Sequence, residues 1–243
     1  MTPPAYPAPP TPRPAADAAL VRDATQRLLA TVERLDDRAL AEPSLLPDWS
    51  RGHVAAHLAR NADALVDVLA GRQMYRSAES RDADIERDAH RSRADQLDDL
   101  RTSAARLDGA FAAQRDADWE RTVELRNGVT DLVYSLPFRR LIEIELHHVD
   151  LGYGYGLDDL PAAFVERELT NMARRFAGHP GVPVAVELRT EDGVARHTGA
   201  AVADAGEPLV VSGSATALVG WLTGRSSGSG LSARDPLPEL PSL

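Results

Sequence analysis

The chain has 243 residues, of which 43% are hydrophobic, and this is enough apolar material for the core of one large domain or two modest ones. Its formal net charge of −10 argues against nucleic acids and anionic membranes as partners, because both are bound through basic surfaces. It contains no cysteine, which excludes a disulfide framework, a thiolate metal site and a cysteine nucleophile.

The N-terminal segment predicts a tail followed by helices. Residues 1–15 are rich in proline and alanine and predict a disordered tail. They lack the features of a signal peptide, and no apolar run approaches the roughly 20 residues of a membrane helix, so we expect a cytoplasmic protein. Apolar residues recur at helical spacing from Ala16 to Leu35, which predicts a first helix. Asp48 and Ser50 are capping candidates for a second helix that continues to Gly71.

Two further helices complete a predicted bundle. Residues 81 to 115 are rich in charge but keep one apolar face, which predicts a third helix. Residues 120–133 alternate in period two around Asn127-Gly128 and predict a small hairpin. A fourth helix is predicted from Leu136 to Leu151, before the glycine-rich sequence GYGYG. Four helices of this length indicate a helical bundle, which we assign to residues 16–157.

The pattern changes at Asp158, where a second domain is predicted over residues 158–243. A helix from Pro161 to Ala177, a hairpin around the turn at 191–193, a strand in EPLVVSG and a helix in SATALVGWLTGR indicate a small α+β domain. The glycine- and serine-rich stretch from Ser226 onward predicts a segment that trails along the surface. The expected fold class is therefore α+β, with a four-helix bundle followed by a smaller α+β domain.

The fourth predicted helix carries a pair of metal-binding residue types. Glu143 and His147 are four residues apart, so they lie on one face of the helix, and Asp150 continues this polar stripe. On the second helix His57 falls on the face that turns inward, whereas His53 projects to the side. Two imidazoles and one carboxylate from two helices suit zinc or another divalent ion and leave one coordination position open.

Other interpretations of these residues remain open. Histidines 53 and 57 form an HxxxH pair and could both bind, and it is also open whether Asp150 takes part. A glutamate and a histidine one turn apart are common on solvated helices, and a buried His57 could serve only as a hydrogen-bonded core residue. Trp49 is interpreted as a core anchor where the second helix begins.

Three stretches resemble the signatures of a known family: LLPDWSRGHVAAHLARNADAL, IEIELHHVDLGYGY and VVSGSATALVGWLTGR are similar to those of the mycothiol-dependent maleylpyruvate isomerases. The resemblance spans most of the chain and implies a DinB-like metal-binding bundle followed by a sterol-carrier-protein-like domain. It places His57, Glu143 and His147 at the zinc-ligand positions of the family. Arg225 stands where the family has an arginine implicated in activity, although its place near a helix C-terminus also fits a capping charge.

The resemblance also implies a reaction and its partners. Zinc would bind the thiol of mycothiol and lower its pKa, and the thiolate would add to the cis double bond of maleylpyruvate. Rotation and elimination would give fumarylpyruvate, with Arg225 binding a substrate carboxylate. The expected partners are a small-molecule substrate and a low-molecular-weight thiol, and we expect a monomer. The alternatives are a mycothiol S-transferase acting on an electrophile and a non-catalytic module that binds a small ligand.

Overall fold

The computed structural model describes residues 13–241. These residues divide into two compact units with the boundary between Gly156 and Leu157. Most of the tail predicted for residues 1–15 lies outside the described residues, but the first helix already begins at Pro14. Within the described part of the chain, no helix is both long and apolar enough to cross a membrane.

The first unit is a helical bundle with a small hairpin. Its elements are α1 (Pro14–Arg34), α2 (Asp37–Ala41), α3 (Arg51–Leu69), α4 (Ala78–Ala89), α5 (Arg93–Ala112), β1 (Thr122–Glu124), β2 (Thr130–Leu132) and α6 (Leu136–Asp150). The long helices form a closed ring, because α1 and α3 each pack against both α5 and α6. This arrangement confirms the predicted four-helix bundle.

One part of the helix prediction is wrong. The third helix expected over residues 81–115 is two helices, because α4 ends at Ala89 and α5 begins at Arg93. The break is stabilised by Ser92, whose hydroxyl accepts a hydrogen bond from the backbone N–H of Asp95 at 3.2 Å. In the sequence the helical periodicity continues across this cap, which is why one helix was predicted. Because the helix breaks here, α4 folds back against α3.

A buried arginine fixes α6 against α3. The guanidinium of Arg140 donates to the carbonyl oxygen of Leu58 at 2.9 Å and to Oδ1 of Asn61 at 2.8 Å. Only 2% of Arg140 is exposed, and burial lowers its pKa to about 10, so it remains charged at neutral pH. A buried charge requires such partners, and these bonds therefore set the register of the two helices that carry the predicted metal ligands.

The predicted hairpin is present beside the bundle. Strands β1 and β2 pair antiparallel, with Val123 opposite Asp131. Asn127 and Gly128 have φ angles of 62° and 71°, the left-handed conformation that both central residues of a type I′ turn require.

The second unit is a four-stranded sheet with helices packed against it. Its elements are α7 (Ala162–Arg175), β3 (Ala185–Thr190), β4 (Ala195–Gly199), α8 (Val202–Ala205), β5 (Leu209–Gly213), α9 (Ala215–Leu222) and β6 (Ser232–Ala233). The strand order is β4-β3-β5-β6, in which only the β3–β5 pair is parallel. The α+β fold class is thus confirmed.

Part of the C-terminal stretch is not a simple surface segment. The two residues of β6 pair with β5, with Ala233 opposite Val211, so this segment covers an edge of the sheet. A strand of two residues in a glycine- and serine-rich sequence has no periodicity to detect, which is why the sequence did not predict it.

Candidate metal centre

Helices α3 and α6 bring three potential metal ligands together. Nε2 of His57 lies 3.0 Å from Oε2 of Glu143, and Nε2 of His147 lies 3.3 Å from the same oxygen. The two imidazole rings meet edge to face, with their centroids 4.7 Å apart. The donor atoms of all three side chains lie within 4.8 Å of one another, so small side-chain movements would allow them to share one cation.

The electrostatics of His57 and Glu143 suit ligation. Burial lowers the pKa of His57 to about 4, so its imidazole is neutral at physiological pH. Loss of water raises the pKa of Glu143, but hydrogen bonds from His147 and His57 outweigh this effect and hold that pKa well below its usual value. Burial alone would lower the pKa of His147, but its hydrogen bonds to Asp150 and Glu143 outweigh this effect, so the pKa is raised above its usual value. The centre therefore offers a neutral imidazole and an ionised carboxylate.

Asp150 orients His147. Its Oδ2 lies 2.8 Å from Nδ1 of His147, on the side of the ring that faces away from Glu143, and the aspartate is 1% exposed. Asp150 therefore lies behind His147 and not among the three potential ligands, which is the position a carboxylate takes in carboxylate–histidine–metal sites to fix ring orientation and tautomer.

Arg81 is a site residue that the sequence analysis missed. Its Nη2 lies 3.2 Å from Nδ1 of His57, and its guanidinium lies over the ring of Tyr75 at 5.8 Å from the centroid. Because arginine only donates, Nδ1 of His57 accepts this bond and the ring proton is assigned to Nε2, which faces Glu143. Arg81 reaches the centre only because α4 folds back, and the helix break that permits this was not predicted.

Trp49 flanks the beginning of α3. Its ring is 5.5 Å from that of His57 and 6.1 Å from that of His53, centroid to centroid. It is half-buried and lies against both imidazoles.

His53 does not join the three potential ligands. Its Nε2 lies 3.1 Å from Oε2 of Glu86 on α4, and its ring meets the edge of His90. Although an HxxxH pair can bind one ion, the two histidines of α3 thus face different carboxylates.

Arg225 lies in the second unit, three residues after α9 ends. Its Nη1 donates to the carbonyl oxygen of Thr223, the C-cap of that helix, at 2.7 Å. Close by, burial raises the pKa of Glu168 to about 7, an effect that Asn171 and the charges of Arg175 and Arg225 partly offset. The capping contact agrees with the structural role that the sequence also allowed for Arg225.

A cavity of about 620 Å³ opens in the first unit, between residues 68–78 and the hairpin residues 121–128. Tyr75 lines this cavity and also contacts Arg81, so it connects the cavity to the neighbourhood of His57.

Comparisons with known proteins identify both units. A family model described as Mycothiol maleylpyruvate isomerase N-terminal domain matches residues 21–152, and one described as MDMPI C-terminal domain matches residues 159–242. The chain resembles the crystal structure of the mycothiol-dependent maleylpyruvate isomerase with a TM-score of 0.84 and 26% identity, over 95% of this chain and 97% of that one. A histidine-to-alanine mutant of that enzyme gives the same TM-score and coverage at 25% identity. No curated protein sequence matches significantly.

Proposed function

The chain belongs to the mycothiol maleylpyruvate isomerase family, and we propose that it catalyses the mycothiol-dependent cis–trans isomerisation of maleylpyruvate, or of a related unsaturated dicarboxylic acid, to fumarylpyruvate. We further propose that His57, Glu143 and His147 hold the Zn²⁺ or other divalent ion that the reaction uses. The observation that carries this proposal is the convergence of three donor atoms from two helices within 4.8 Å. Membership of an enzyme family favours catalysis over a non-catalytic binding module.

The donor set fits such an ion. Two imidazole nitrogens and a carboxylate oxygen are the ligand types of catalytic zinc sites, and three protein ligands leave a position for an incoming group. A bound ion of this class lowers the pKa of a coordinated thiol and so supplies a thiolate at neutral pH.

The protein itself prepares the ligands. The dry environment of His57 keeps its imidazole neutral, which a ligand must be. Asp150 holds the ring of His147 from behind, and Arg140 holds α6 in register with α3. Together these contacts pre-position both helices, so little conformational freedom is left to lose when an ion binds.

The cysteine-free sequence requires the nucleophilic thiol to come from outside. Reversible addition of a thiol to the cis double bond leaves a single bond that can rotate, and elimination then returns the thiol with the trans product, so the thiol is required but not consumed. We assign to Arg225 the binding of a substrate carboxylate, following its position in the family motif. In the first unit, Arg81 places a guanidinium 3.2 Å from Nδ1 of His57, and a guanidinium is a suitable partner for a carboxylate.

The test is an assay of the purified protein with Zn²⁺, mycothiol and maleylpyruvate. We expect loss of the cis substrate, formation of fumarylpyruvate and full recovery of the free thiol. We expect His57→Ala to lose both the ion and the activity, and Arg225→Ala to keep the ion but lose turnover. His197→Ala, in β4, is the matched control and should change neither. Accumulation of a stable thioether would contradict isomerisation and favour the S-transferase alternative. The cytoplasmic location and the monomeric state stay predictions.

A further inference from the structure

A second group of possible metal ligands lies where α4 meets the beginning of α3. His53, Glu86 and His90 have donor atoms within 4.8 Å of one another. Nε2 of His53 lies 3.1 Å from Oε2 of Glu86, and Nε2 of His90 lies 3.0 Å from Oε1 of the same carboxylate. One carboxylate thus contacts two imidazoles through its two oxygens.

This group repeats the plan of the first centre. In both, a helix supplies a glutamate and a histidine four residues apart, Glu86 with His90 at the end of α4 and Glu143 with His147 on α6. In both, α3 supplies the third imidazole, and its two histidines are likewise four residues apart. Residues at this spacing lie one turn apart on one face of a helix.

Glycine at position 52 permits the close approach that builds the second group. A Cβ at Gly52 would lie 2.2 Å from the backbone oxygen of Ala89, the last residue of α4. The side-chain amide of Gln96 donates to the same oxygen at 2.9 Å and holds this end of the helix in place. The main chain of α4 therefore reaches α3 immediately before His90.

His53 is also held in an orientation that a ligand needs. The backbone N–H of Ser50 donates to Nδ1 of His53 at 3.2 Å, and the hydroxyl of Ser50 lies 2.7 Å from the same nitrogen. These contacts hold the ring with Nε2 towards Glu86, and binding of a cation at Nε2 displaces the ring proton from that nitrogen. His53 is 12% exposed and fixed, whereas Glu86 and His90 are 67% and 69% exposed. Solvent ions can thus reach the group.

We propose that His53, Glu86 and His90 form a second, weaker site for a divalent cation of the zinc class. Imidazole nitrogens favour Zn²⁺, Co²⁺ and Ni²⁺ over Mg²⁺ and Ca²⁺, which prefer oxygen ligands. The site is weaker than the first because two of its ligands are exposed and lose rotamer freedom when they bind. This proposal does not depend on the catalytic one.

Occupation of the second site would tie α4 to α3. Since α4 also carries Arg81, a cation there would restrain the helix whose guanidinium contacts His57. The two sites would then be linked through one helix, although they share no ligand.

The experiment is a titration of the metal-free full chain with Zn²⁺ and with Co²⁺, in competition with a chromophoric chelator. We expect two equivalents per chain for the wild type, only the weaker one for His57→Ala and only the tighter one for His90→Ala. His90→Gln preserves a hydrogen-bond donor to Glu86 and should also lose the weaker equivalent. His197→Ala removes a histidine elsewhere and should keep both, and excess Mg²⁺ should displace neither. Circular dichroism checks that each variant is folded.

The outcomes separate this proposal from the proposed function. A single equivalent that disappears in His57→Ala overturns the second site and leaves the first intact. A second equivalent that survives both His90→Ala and His53→Ala also overturns it. A single equivalent lost only in His90→Ala supports the second site and counts against the catalytic ion.

Discussion

Replacing Asp150 by asparagine isolates the charge behind His147, because asparagine has the same shape and can still accept a hydrogen bond from Nδ1. The aspartate is 1% exposed and its Oδ2 lies 2.8 Å from that nitrogen, so solvent screens the interaction little. A hydrogen bond to a charged group contributes about 1.5–3 kcal/mol, against about 0.5–1.5 kcal/mol for a neutral one. The difference of about 1–1.5 kcal/mol corresponds to about a tenfold loss of zinc affinity.

The assay is the zinc dissociation constant of the tighter site, measured by chelator competition. We expect about a tenfold increase for Asp150→Asn and an increase of up to about a hundredfold for Asp150→Ala, which removes the hydrogen bond altogether. Asp131→Asn is the matched control, because Asp131 also contacts α6, through Arg139 at 2.8 Å, but contacts no ligand. Unchanged affinity in Asp150→Asn, or an equal loss in Asp131→Asn, would refute the orienting role of Asp150.

Three further predictions concern burial, close packing and proton placement. Burial raises the pKa of Glu168 to about 7, above its unfolded value of 4.5, so the stability contributed by its neutral form is complete below pH 4.5 and is lost as the pH rises through 7. Glu168→Gln, which cannot ionise, should therefore raise the free energy of unfolding at pH 8 by about 3 kcal/mol more than at pH 4, as measured by urea denaturation. Gly52→Ala should lower that free energy by about 1–3 kcal/mol and lower the melting temperature, because its Cβ would collide with the oxygen of Ala89. Arg81→Ala should strengthen zinc binding several-fold in chelator competition. His57 binds zinc through Nε2 only when its ring proton is on Nδ1, and the hydrogen bond that Arg81 donates to Nδ1 disfavours that tautomer.

Each of these predictions has a result that would contradict it. Equal effects of Glu168→Gln at both pH values would show that the carboxyl is not held neutral by burial. A Gly52→Ala variant as stable as the natural chain would mean that α4 can move away from α3 without a loss in the free energy of unfolding. Weaker zinc binding in Arg81→Ala would mean that the guanidinium supports the ligand instead of competing with its proton.

Helical periodicity was sufficient to predict that the three side chains of the candidate centre come together. Glu143 and His147 share a face of α6 by spacing alone, and the apolar residues around His57 show which face of α3 turns inward. Both inferences use only the repeat of a single helix. Three of the four long helices, α1, α3 and α6, and the N–G turn of the hairpin could be predicted for the same reason, since each signal is local.

Features that depend on contacts between distant segments could not be predicted. The partner of His53 is Glu86, 33 residues away, and it is in reach only because the chain breaks its helix before Ser92. Arg140 resembles a surface arginine in the sequence, yet it is buried because Leu58 and Asn61 offer it acceptors. Periodicity does not encode such pairings.

The central claim is that an ion held by His57, Glu143 and His147 keeps one position open for an external thiol. X-ray absorption at the zinc edge, on protein loaded with one equivalent, tests it most directly. We predict only nitrogen and oxygen neighbours without thiol, and one sulfur neighbour at about 2.3 Å after mycothiol is added. Because the chain has no cysteine, a protein thiolate cannot supply that sulfur. A spectrum that mycothiol leaves unchanged would contradict the account.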